Sequence, residues 1–168
     1  MDDTNQLNVL VEDIYSASLA IDDQTPLLGR ITEYLGFEAC ALVTARSRYP
    51  HANCNASWGI DLAACERAER EFGASLALTK LNGRDIRAGE FGFDGEFVSE
   101  AELRSQPVYN EFLVPNRIQH GAKVCLENSA ERLVVVNFGR PVPGVDDCLH
   151  RVSPSFGSQP GPAGNKST

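Results

Sequence analysis

Residues 99–141 read SEAELRSQPVYNEFLVPNRIQHGAKVCLENSAERLVVVNFGRP. They constrain the fold more than any other stretch, because they pass from a capped helix through a turn into two strands without a break. Ser99-Glu100-Ala101-Glu102 is a capping box, in which the Ser99 hydroxyl and the Glu102 carboxylate reciprocally satisfy backbone N–H groups at a helix start. Pro107 opens a second helical turn over 108–113, and Pro115 forbids its continuation. From Ile118 the chain alternates, with Ile118, His120, Ala122, Val124 and Leu126 on one face and Gln119, Lys123, Cys125 and Glu127 on the other, which is the period of a strand. Residues 128–130 supply a turn. Residues 133–138, LVVVNF, are strand-forming and apolar on both faces, which predicts a central place in a sheet.

The upstream pattern supplies the partners. Leu7, Leu10, Val11 and Ile14 recur at helical spacing with Tyr15 beside them, predicting an amphipathic helix that ends near Ala20. A second helix has Thr25 as N-cap, Pro26 at the first helical position, Leu27, Leu28, Ile31 and Leu35 as its buried stripe, and Gly36 for a left-handed C-terminus. Residues 39–45, ACALVTA, read as a largely buried strand. After a turn over 47–51, Pro50 starts a second strand around 52–58 that Gly59 stops, and the two strands should pair antiparallel. Asp61 caps a third helix with Leu62, Cys65, Phe72 and Leu76 on its inner side. Residues 81–96 hold glycines at 83, 89, 92 and 95 and read as an irregular loop with one short edge strand, of a length that often covers a binding site. The order predicts an α+β fold, an antiparallel sheet flanked by helices.

A chain of 168 residues has room for one domain of ordinary size. Hydrophobic residues at 42% and charged residues at 23% describe a chain that builds a core without disulfide or metal staples. After Pro141 the composition changes: residues 143–168 carry four Pro, four Gly and four Ser among 26 residues and no apolar periodicity, so a folded part over 1–142 and a flexible tail over 143–168 are expected. No apolar run approaches the roughly 18 residues that cross a bilayer, and the start MDDTNQLNVLVED is acidic where a secretory signal is basic, so a cytoplasmic location without membrane contact is expected. A net charge of -8 argues against direct nucleic-acid binding.

Little in the chain promises chemistry. Cysteines stand at 40, 54, 65, 125 and 148, an odd number with no C-x-x-C pair, which suggests neither a disulfide framework nor a zinc module. A cysteine nucleophile would need a base among His51, His120 and His150, and no local signature joins them. Cys40 and Cys65 fall on apolar faces, where a cysteine ordinarily packs as a small hydrophobe. The glycines miss both phosphate-loop spacings. The acids Glu69/Glu71 and Glu100/Glu102 fall on exposed helix surfaces, where carboxylates solvate and cap. No cofactor, metal or catalytic residue is therefore expected. Trp58, Tyr109 and Phe112 are large side chains near element ends that either fill the core or wall a small-ligand pocket between sheet and helices.

Ser105, Val108, Tyr109, Asn110, Glu111, Phe112, Leu113 and Pro115, followed by a hairpin ending in Arg140-Pro141, form a pattern that resembles the N-terminal sensor halves of LuxR-type transcriptional regulators. Ile14-Tyr15-Ser16-Ala17 and Leu35-Gly36-Phe37-Glu38-Ala39-Cys40 extend the resemblance over most of residues 1–141. It implies a PAS- or GAF-like α/β/α sandwich, non-enzymatic, that binds a small molecule or a partner. It also implies a homodimer, or a heterodimer with a full-length regulator, as the route to transcription. Trp58 is followed four positions later by Leu62 where lactone-binding members carry Tyr, so the resemblance does not extend to acyl-homoserine lactones. The family continues after Arg-Pro with a linker helix and a basic helix-turn-helix, and the Pro/Gly/Ser-rich tail stands in that place. The expectation is a stand-alone or truncated regulatory sensor domain. The alternatives are a small cysteine-dependent enzyme and a remnant or dimerisation module without ligand.

Overall fold

The computed structural model describes residues 3–19, 23–46, 52–72 and 87–141. The expected tail, the turn over 47–51, most of the glycine-bearing loop, His51, Cys148 and His150 lie outside them. Helices α1 (Asp3–Leu19) and α2 (Thr25–Tyr34) precede strands β1 (Ala39–Arg46) and β2 (Ala52–Trp58). Helix α3 (Leu62–Phe72) comes next, then strand β3 (Phe91–Phe93), the brief helices α4 (Asp94–Phe97) and α5 (Glu100–Arg104), a π-helical turn (Tyr109–Leu113), and strands β4 (His120–Asn128) and β5 (Arg132–Arg140). The strands form one antiparallel sheet in the order β2-β1-β5-β4-β3. This is the expected α+β architecture, a five-stranded antiparallel sheet flanked by helices, with β5 at its centre and β3 as the short edge strand.

A strand buried on both faces must be apolar on both, and Val135 and Val136 of β5 are 1% and 5% exposed. On one face, Leu28 of α2 packs with Phe37, Cys40, Ala56, Val136 and Phe138. The Phe37 and Phe138 rings lie 5.3 Å apart, and the Arg140 guanidinium sits 5.3 Å above Phe37, so the end of the last hairpin closes this core. Trp58 belongs to the same face: it stands opposite Cys40 in register, and its ring lies where a Cβ on Gly29 would come within 2.7 Å. A glycine in α2 thus makes the seat for the tryptophan.

Four local details depart from the sequence pattern. Thr25 is the first residue of α2 and its cap is Gln24; the Thr25 N–H donates to the Asp23 carboxylate at 2.9 Å, so an acid one residue further out does the work expected of Thr25. Gly36 does adopt the left-handed conformation, at φ 75°. Of the stripe predicted for α1, Leu10 alone is buried, while Leu7, Val11 and Ile14 stay exposed, because α1 leans mainly on α2, where Asp13 pairs with Arg30. A bulge between Cys125 and Glu127 leaves Leu126 52% exposed, since one extra residue ends the alternation that had placed it with Val124. A second bulge, at Asn55 opposite the Leu42–Val43 step, puts Ala56 and Cys54 on opposite faces.

Candidate functional site

The second face of the sheet is floored by small residues, Ala39 and Ala41 of β1, Gly121 of β4 and Gly139 of β5, and the space above them is a cavity of about 140 Å³. Helix α3 covers one side. The other is covered by the segment from α4 to the π-helical turn, and hydrogen bonds from its polar side chains set its path. Ser99 Oγ accepts from the Glu102 N–H at 3.3 Å and so starts α5. Ser105 Oγ donates to the Glu102 carbonyl at 2.7 Å, and the Asn110 amide donates to the carbonyls of Arg104 at 2.9 Å and Gln106 at 3.1 Å. The chain then widens: the Val114 N–H reaches the Tyr109 carbonyl at 2.9 Å and the Ile118 N–H the Leu113 carbonyl at 2.8 Å, five residues back in each case. The pattern that carried the family resemblance is thus a scaffold that lowers Val108, Phe112, Leu113 and Ile118 onto the cavity.

Of the three residues expected at a pocket, Phe112 lines the cavity. Tyr109 is buried in the same turn without forming the cavity wall, and Trp58 lies on the opposite face of the sheet. The structure does not bring the three together.

The polar groups in the wall are ones the sequence pattern passed over. Lys123 and Asp94 form an ion pair with side chains only 10% and 19% exposed. Gly121 makes room for it, since a Cβ there would lie 2.3 Å from Asp94 Oδ2. In α3 the Asp61 carboxylate accepts from the Ala64 N–H at 2.9 Å, confirming Asp61 as the cap, and the helix so begun presents Cys65, Ala68 and Glu69 to the cavity. Glu69 is therefore not on an exposed helix surface, where the sequence reading puts it as one of a pair of acids with Glu71. It stands one turn after Cys65 and shares its face. Its Oε2 has no hydrogen-bond partner, and burial pushes its carboxyl up to about 7.

Across from α3, Cys54 of β2 faces Cys65. The Cys65 thiol hydrogen-bonds to Cys54, which lowers the Cys54 pKa; the same bond, with burial, raises that of Cys65. Burial is the leading cause that raises Cys40 and Cys125. Among the described residues no group of three His, Cys, Asp or Glu side chains is placed to hold a metal ion. A sequence signal for Glu69 did exist: an acid four residues after Cys65 and three before Phe72, inside an apolar stripe.

Neither protein-family profiles nor curated proteins give a match to the sequence. Solved structures do. The LBD domain of VqsR from Pseudomonas aeruginosa superposes with a TM-score of 0.62 at 14% identity, over 88% of this chain and 85% of that one. The GAF domain of a phosphoenolpyruvate-protein phosphotransferase from Coxiella burnetii gives a TM-score of 0.54 at 13% identity, over 90% of this chain and 88% of that one. The fold is GAF-like. At 14% and 13% identity the likeness to both neighbours is one of fold. No described helix is long and apolar enough to cross a membrane.

Proposed function

We propose that residues 1–142 form a non-enzymatic sensor domain that takes a small molecule in the cavity beneath α3 and signals its occupancy through a partner chain, either a second copy or a full-length LuxR-type regulator. The observation that carries this reading is the unpartnered Glu69 Oε2 in a largely apolar enclosure. A buried polar atom left without a partner costs about 1–3 kcal/mol, which a ligand donating a hydrogen bond there would recover. The space, about 140 Å³, compares with the ~150 Å³ cavity that accepts benzene. The ligand class is thus a ring-sized molecule with an apolar body and a donor group such as an ammonium.

Benzylamine tests this, with toluene as the probe that lacks the donor. A ligand that binds only the folded state raises its stability, by about 2.7 kcal/mol at a hundred times Kd. Benzylamine is expected to raise the Tm of the full chain, Glu69→Gln to remove most of that rise, and Ala41→Leu, which fills the floor, to abolish the response to both probes. If neither compound moves the Tm of the wild type, the cavity is not a ligand site.

A further inference from the structure

Four of the five cysteines are described and all four are buried, yet their surroundings divide them. Cys40 donates to the Leu28 carbonyl at 3.8 Å and Cys125 to the Glu127 carbonyl at 3.4 Å, each turned to backbone. Cys54 and Cys65 are turned to each other. The bulge at Asn55 rotates Cys54 onto the cavity side of β2, and the Asp61 cap sets the first turn of α3 so that Cys65 meets it. The Cys65 thiol donates to the Cys54 sulfur, which in its protonated form passes its own hydrogen to the Ala56 carbonyl at 3.6 Å. Both line a cavity that is not sealed from solvent. We infer that Cys54 and Cys65 are a reversible dithiol–disulfide pair on the cavity wall, oxidised by a peroxide.

The roles follow from the direction of the hydrogen bond. A sulfur that accepts a hydrogen bond holds negative charge more readily, so Cys54 is the nucleophile and Cys65, which keeps its proton, is the resolving thiol. Ionised Cys54 sulfur attacks one oxygen of hydrogen peroxide or an alkyl hydroperoxide. The O–O bond breaks, and the leaving hydroxide or alkoxide takes up the proton that Cys54 released, giving water or alcohol and Cys54 sulfenic acid. Cys65 sulfur then displaces the sulfenic oxygen: the S–S bond forms, the S–O bond breaks, and hydroxide leaves with the Cys65 proton as a second water. Two thiols lose two electrons and the peroxide gains them; a small dithiol reverses the change. The bridge would join α3 to the edge strand β2, one turn before Glu69. The pair stands independently of the ligand reading, because its chemistry needs no ligand.

The reduced full-length protein is exposed to hydrogen peroxide, alkylated, and digested with trypsin. Residues 49–67 emerge as one peptide that holds both cysteines and no other. The expected result is a loss of about 2 Da from that peptide, the two hydrogens removed, with no alkylation until dithiothreitol is added. Cys65→Ser is expected to accumulate a Cys54 sulfenic acid that dimedone traps, and Cys54→Ser to yield neither product. The inference is overturned if residues 49–67 stay fully alkylatable while Cys40, Cys125 or Cys148 oxidises, or if Cys65 oxidises equally fast in Cys54→Ser. Should either variant fail to fold, the wild-type peptide map decides alone.

Discussion

Glu69 keeps a carboxyl in an apolar wall, and burial moves its pKa from 4.5 to about 7. Between those values the folded chain binds a proton that the unfolded chain has lost. The contribution to stability is therefore complete below the unfolded value and is lost as pH rises through the folded one. A shift of that size corresponds to about 3 kcal/mol. Glu69→Gln has no such proton, so the Tm curves of variant and wild type should run close together near pH 4 and separate toward pH 8, the wild type falling below. Parallel curves across that range would show that Glu69 titrates as an ordinary surface acid. The helical period placed Cys65 and Phe72 inward, and Glu69 shares their face, so its burial was readable from the pattern. Trp58 was not readable in the same way. A strand's alternation tells two faces apart only while it is unbroken, and the extra residue at Asn55 reverses the sides before Trp58 is reached.

At the scale of elements, the contact between α2 and β2 rests on Gly29. Alanine is favoured over glycine in a helix by about 1 kcal/mol, yet its methyl carbon would stand 2.7 Å from the Trp58 ring, and overpacking of this kind costs about 1–3 kcal/mol. The clash should win. Gly29→Ala is expected to lower the Tm and, because Trp58 is the sole tryptophan, to shift the fluorescence emission to the red as the ring is pushed toward water. A variant that is more stable with unchanged emission would place the ring elsewhere. Capped and punctuated elements were the legible ones: Ser99, Asp61 and Gly36 act by local hydrogen bonds or local conformation, and each does in the fold what its spacing predicted. Thr25 and Leu126 were misread for one reason. Asp23 and the bulge before Glu127 are alternatives of nearly equal local merit, and the surrounding packing selects between them. The cavity itself left only a faint trace, because a floor of Ala39, Ala41, Gly121 and Gly139 reads as a run of small residues until the strands are laid side by side.

At the scale of the whole molecule, periodicity shows that a helix has an apolar face and is silent on which body covers it. Leu7, Val9, Val11, Ile14 and Tyr15 of α1 are all more than two-fifths exposed, and burying one such side chain is worth about 1.5–3 kcal/mol. Several of them on one helix make a continuous surface, which the proposed dimer would cover with α1 of a second copy. A mass above 18.3 kDa that rises with concentration in sedimentation equilibrium is then expected. Ile14→Glu should return the chain to the monomer mass. Its Tm at low concentration should change little, because the side chain it replaces is 42% exposed within one copy. A monomer at every concentration would remove the self-partner and leave pairing with a full-length regulator. In that case α1 would have to recognise a surface unlike itself, and Ile14→Glu would be read out in a binding assay against that regulator instead.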